Sequence, residues 1–185
     1  GKVRLELGRY EEAMEDFDKA ISLESKDYDM LLEIYKVLED EGYGEAGRGY
    51  LETAIAEGKK SMSETQKGMM YYFMGEYEEA RQILEKEKNG GKQAVTYLGM
   101  TYEKLGDYNY ACSLYSNYLL TKEDASLYNQ LGLCKMQMED YEAALTAFQK
   151  GMNVENCPCM QSLKFNEIVA YEYLGEFEKA KSLMD

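Results

Sequence analysis

The feature that most restricts this chain is a recurrence. Five stretches align: LGRYEEAMEDFDKAI (7–21), MGEYEEARQILEKE (74–87), LGDYNYACSLYSNYL (105–119), MEDYEAALTAFQKGM (138–152) and LGEFEKAKSLM (174–184). Each carries a turn residue (Gly8, Gly75, Gly106, Glu139, Gly175) and, two positions later, an aromatic (Tyr10, Tyr77, Tyr108, Tyr141, Phe177). An alanine follows at the fifth position (Ala13, Ala80, Ala111, Ala144, Ala180) and a large apolar residue at the ninth (Phe17, Leu84, Tyr115, Phe148, Met184). A degenerate sixth copy starts at Gly42, with Gly44 for the aromatic, Gly47 for the alanine, Leu51 for the apolar residue and Ala54 beyond. The turn residues are then 34, 33, 31, 33 and 36 apart. A fixed period of this length means stacked supersecondary units, each too small to bury its own apolar face.

Two helical patterns fill each period. Before the turn run stripes such as Leu31, Ile34, Tyr35 and Leu38, or Val95, Leu98, Gly99 and Tyr102, at i, i+3, i+4, i+7 spacing. After it run stripes such as Ala144, Leu145 and Phe148. Glycine ends the first helix because it accepts a left-handed cap, and an acid often opens the second. Small residues (Gly99, Gly132, Ala111, Ala144) let two antiparallel backbones approach closely, and a single proline in 185 residues favours helix throughout.

These residues resemble the tetratricopeptide repeat (TPR) family, whose units are helix–turn–helix pairs of 34 residues, and the resemblance covers essentially the whole chain. It implies an all-α fold: a right-handed TPR-like α-solenoid of antiparallel helix pairs in one array of about six repeats. The expected boundaries are 1–27 (truncated), 28–60, 61–91, 92–124, 125–160 and 161–185 (truncated). Several positions depart from the family pattern. No proline closes any repeat, with Ser25 at the first such place, and Glu87, Tyr118 and Gly151 stand where alanine is usual.

The degenerate copy contains GYGEAG (42–47), which matches the G-x-G-x-x-G dinucleotide fingerprint. That fingerprint needs a strand before it and a helix after it. Here YDMLLEIYKVLEDE precedes it with helical periodicity, so the stretch reads as a glycine-loosened turn between helices.

Composition narrows the chemistry. Thirty-five acids against 21 bases give a net charge of −14, which disfavours phosphate backbones, so no nucleic-acid partner is expected. There is no histidine, so His-based triads and His metal sites are excluded. Acid pairs such as Glu11–Glu12 and Glu78–Glu79 recur at one place in the period and read as a solvated face. Cys157-Pro158-Cys159 is the one sharp thiol pattern, open to a redox or metal reading or to that of an ordinary loop; Cys112 and Cys134 read as small core filler. No catalytic, cofactor-binding or metal residues are assigned, and the chain is expected not to be an enzyme. No apolar run approaches the roughly 20 residues of a membrane span, so no direct membrane insertion is expected. Cysteine usage favours a cytoplasmic setting. The start at Gly1 leaves an upstream signal or membrane anchor open, hence also an extracytoplasmic location.

What remains is a surface. In TPR-like arrays the first helices line the concave face. The exposed stripe there is rich in Met and aromatics, an adaptable lining for apolar side chains. The expected peptide-contacting residues are Met62, Met69, Tyr72, Met100, Asn129, Leu133, Met136, Phe165 and Asn166, with the two asparagines able to pair with a peptide backbone. Met69, Tyr72, Met100, Leu133 and Met136 are expected to share one trough, apolar enough to be insensitive to salt. The places where chaperone-tail-binding relatives carry Lys, Asn and Arg hold Thr65, Gln66, Met69, Thr96 and Met100, so that clamp is not implied. The expected function is a protein-interaction scaffold with a protein or peptide partner. The alternative is a non-catalytic segment of a larger regulatory or enzymatic protein. Truncated ends are expected to favour end-to-end self-association.

Overall fold

A computed structural model describes residues 1–24, 26–58 and 61–184. Ser25, at the place where the family closes a repeat with proline, lies outside the described residues, as do Lys59, Lys60 and Asp185. Among the described residues there is no strand. The helices are α1 (Lys2–Glu6), α2 (Tyr10–Leu23), α3 (Tyr28–Asp40), α4 (Gly44–Glu57), α5 (Glu64–Phe73), α6 (Tyr77–Leu84), α7 (Lys92–Lys104), α8 (Tyr108–Leu119), α9 (Ala125–Gln137), α10 (Tyr141–Met152), α11 (Met160–Tyr173) and α12 (Phe177–Met184), with a 3-10 turn at Glu85–Glu87. They fall into two compact units, Gly1–Ile83 and Leu84–Asp185.

All six turn residues adopt the left-handed conformation. The five glycines have φ between 72° and 86°, and Glu139 takes the same place at φ 58° despite its side chain. The turn works identically each time. At Gly106 the amide donates to the Glu103 carbonyl at 3.1 Å and the next amide, Asp107, reaches back to Tyr102 at 2.9 Å. This pair of bonds satisfies carbonyls left open at the end of the first helix. At two of the turns the residue that closes one helix also caps the next with its side chain. Asp107 accepts from the Tyr110 amide at 3.0 Å, and Asp140 from Ala143 at 3.4 Å. With one residue serving both helices, the pair is forced into a tight antiparallel hairpin.

Packing within each pair follows the small-against-large rule. In the second unit a Cβ added to Gly99 would fall 2.2 Å from the Tyr115 ring, and one on Gly132 would fall 2.2 Å from the Phe148 ring. The rings occupy the space that the missing side chains leave. The degenerate second repeat inverts this arrangement. Tyr35 stands seven residues before its turn, the register of Gly99 and Gly132, so the bulk is on the first helix. The room is made by the second helix, where a Cβ on Gly47 would sit 2.9 Å from Tyr35 Cδ2. The Tyr35 hydroxyl donates to the Phe73 carbonyl at 2.7 Å, and burial, with Glu39 nearby, pushes its pKa up to about 12. Of the GYGEAG glycines, Gly47 therefore seats a tyrosine, while Gly42 forms the turn.

The alanines of the period (Ala13, Ala80, Ala111, Ala144, Ala180) are buried, as are Phe17, Leu51, Leu84, Tyr115 and Phe148. Met184 differs. It is exposed together with Phe177, on α12, whose main packing partner among the described elements is α11. Cys112 and Cys134 are filler, as expected, but they also meet. Their sulfurs lie 2.9 Å apart between α8 and α9, and Cys134 contacts the Tyr108 carbonyl oxygen at 3.3 Å.

Candidate functional site: a cleft between adjacent first helices

In the second unit, α9 and α11 are first helices of successive repeats and pack on either side of α10. The α9–α10 turn brings Glu139 and Tyr141 to the end of the gap between them. A cleft of about 410 Å³ opens there, lined by Leu133, Met136 and Gln137 from α9, Glu139 from the turn, Tyr141 from the start of α10, and Asn166, Val169 and Tyr173 from α11. Leu133 and Met136 recur on one face of α9; Asn166, Val169 and Tyr173 do so on α11 at the i, i+3, i+7 spacing of a single helical face.

The lining mixes apolar and polar side chains. Tyr141 and Tyr173 stack with ring centroids 5.1 Å apart at 16°. Asn166 Nδ2 donates to Asn129 Oδ1 at 2.8 Å across the two helices. That bond fixes the Asn166 amide while leaving its carbonyl oxygen and second N–H for another partner. Glu139 is the sole charged side chain among the lining residues. Its neighbour Asp140 pairs with Lys135 at 3.2 Å, whereas Glu139 makes no ion pair among the described residues. Partial burial, reinforced by the nearby Glu139 carboxylate, raises the pKa of the Tyr141 hydroxyl.

Of the nine residues expected to contact a peptide, Leu133, Met136 and Asn166 line this cleft, and Asn129 supports it from behind. Phe165 and Met100 belong to the same unit but not to the lining; Phe165 is 65% exposed. Met62, Met69 and Tyr72 belong to the other unit. Met69 needs correcting: it is only 3% exposed, because the α5 face that carries it is packed rather than open. Tyr72 is half-buried and meets Phe73 and Tyr77 edge-on or tilted, each at 5.6 Å. Tyr141, Tyr173, Gln137 and Glu139 were not singled out for this surface. The signal for Tyr141 was present but pointed elsewhere, since its position in the period is a packing position.

The tetratricopeptide repeat family matches this sequence at residues 1–27, 65–86 and 125–156. These stretches are tetratricopeptide repeats. Solved structures agree at the level of fold. MamA (residues 41 to the end) from Desulfovibrio magneticus RS-1 is 18% identical with a TM-score of 0.60, over 85% of this chain and 90% of that one. YrrB, a TPR protein with an unusual peptide-binding site, is 22% identical with a TM-score of 0.56, over 91% and 89%. BtubC from P. vanneervenii is 18% identical with a TM-score of 0.59, over 93% and 85%. Comparison with curated protein sequences gives no match.

Within this TPR framework the remaining chemical candidates are modest. Cys157 and Cys159 precede α11, half-buried, with sulfurs 3.8 Å apart. Burial, then Cys157, pushes the Cys159 thiol up to about 11, which keeps it protonated and a poor nucleophile near neutral pH. No group of three or more metal-ligating side chains occurs among the described residues. Nor is any described helix long and apolar enough to cross a membrane. The TPR fold is typically a non-catalytic scaffold.

Proposed function

We propose that this TPR protein is a protein-interaction scaffold that holds an extended peptide or protein segment in the cleft between α9 and α11. The observation that carries the reading is the lining itself. The apolar side chains of Leu133, Met136 and Val169 line the cleft together with an Asn166 amide that retains free hydrogen-bonding capacity. Apolar side chains would supply affinity, and the amide would pair with the peptide backbone and set its register. The helices that frame the cleft are held by the repeat packing, so little ordering is required on binding. The peptide-binding site named for YrrB, a protein of the same fold, agrees with this use. The clearest test is selection of a random 12-residue peptide library on the immobilised chain, followed by affinity measurement with Val169→Glu and Asn166→Ala. Val169 is partly exposed in the cleft, and its replacement should weaken binding about ten- to a hundredfold with helix content unchanged. Equal affinity for both variants would move the binding surface elsewhere.

A further inference from the structure

The cleft is not uniformly apolar, and its exception names the residue it receives. This inference rests on the peptide-binding reading above. We infer that the end of the cleft formed by Glu139, Tyr141 and Tyr173 is an anchor for the cationic side chain of a lysine or arginine in the bound segment. Tyr173 is 64% exposed, so its ring offers a free face while Tyr141 stacks against it. Such a face attracts a cation through the ring quadrupole, and guanidinium can also lie flat on it. Glu139 brings a carboxylate to the same end of the cleft, and no cation among the described residues is paired to it. The eight lining residues contain no Lys or Arg, so nothing there repels an incoming positive charge. A chain of net charge −14 also draws basic segments toward it at long range.

The geometry of the turn strengthens the case. Glu139 occupies a left-handed position that glycine fills in the five other turns, at φ 58°. This is the one repeat in which a side chain with a cost to its backbone is set beside the aromatic position, and that side chain is the carboxylate facing the cleft.

The probes are N-acetyl-arginine methylamide and N-acetyl-norleucine methylamide, followed by the side-chain signals of Tyr141 and Tyr173 in NMR titrations. The arginine probe should shift both tyrosines and the norleucine probe should leave them in place. Glu139→Gln and Tyr173→Ala, neither of which removes a buried contact, should each reduce the arginine response about two- to fivefold. Raising ionic strength from about 0.05 to 0.5 M should weaken it further. Peptides selected for the cleft should be enriched in Lys or Arg and lose affinity when that residue becomes citrulline or norleucine. If selected peptides still depend on Val169 and Asn166 but show no basic preference, and the arginine probe shifts nothing, the anchor is wrong and the groove stands. If no peptide depends on Val169 or Asn166 and neither probe shifts the tyrosines, both are wrong.

Discussion

The exchange of bulk between Tyr35 and Gly47 predicts that one substitution changes sign with its background. Gly47 is buried in the interior of α4, where an ordinary glycine-to-alanine change stabilises a helix by about 1 kcal/mol. Here the new methyl would stand 2.9 Å from Tyr35 Cδ2, 3.4 Å from Leu38 Cβ and 3.5 Å from Tyr35 Cα. The ring cannot simply swing away, since its hydroxyl is tied to Phe73 at 2.7 Å. Overpacking of this kind costs about 1–3 kcal/mol, so the net effect of Gly47→Ala should be a loss of up to about 2 kcal/mol. Tyr35→Ala alone should cost about 3–5 kcal/mol through the cavity it leaves. In that background the clash is gone, and adding Gly47→Ala should recover about 1 kcal/mol of helix propensity. Urea denaturation of the wild type, both single variants and the double variant gives the full cycle. A Gly47→Ala protein more stable than wild type would refute the account of why position 47 is glycine.

Three further outcomes follow. Gly49→Ala, exposed on the same helix with nothing within 4 Å of the added carbon, should stabilise by about 1 kcal/mol, whereas Gly99→Ala and Gly132→Ala should lose more than Gly47→Ala, as judged by thermal melting. Glu139→Gly should raise stability by about 0.5–1 kcal/mol by relieving a left-handed non-glycine residue, measured by denaturant unfolding. Asp124 caps α9 by accepting from the Leu127 amide at 2.9 Å and pairs with Lys92 at 2.7 Å. Burial raises its pKa, but the Lys92 pair, the Ser126 hydroxyl and the Leu127 amide outweigh burial and hold it below the ordinary aspartate value. A pKa lower in the folded than in the unfolded state gives stability that is present above the unfolded value and lost as pH falls through the folded one. Asp124→Ala should therefore cost about 1–2 kcal/mol at neutral pH, a deficit that shrinks in unfolding curves taken below about pH 4.

The turns were legible in the sequence because left-handed backbone has few suppliers. Five glycines marked it directly, and the period placed Glu139 beside them although its residue type gave no hint. The buried alanines and rings were legible for a similar reason, since a hairpin this tight admits only small residues at its closest approach. The Tyr35–Gly47 inversion was not. Each position looks like a lapse from the repeat when read alone, and the compensation appears only when the two helices are placed together. Met69 was misjudged because helical spacing locates a face but not what covers it. The two asparagines were marked for their amides, yet their bond to one another, across 37 positions in the chain, has no local signature. Glu139 and Tyr173 were absent from the expected site because their role depends on a turn and a neighbouring helix meeting at one end of a cleft.

The central claim is that a peptide is held between α9 and α11. The methionine side chains provide a direct report, since twelve of them are spread over the chain and Met136 lines the cleft. In carbon-13 methyl spectra of the labelled protein, a peptide selected for binding should shift the Met136 methyl strongly while leaving Met14 and Met30, which pack in the core of the other unit, in place. A bound peptide that moves those core-flanking methyls and leaves Met136 unchanged would contradict the account.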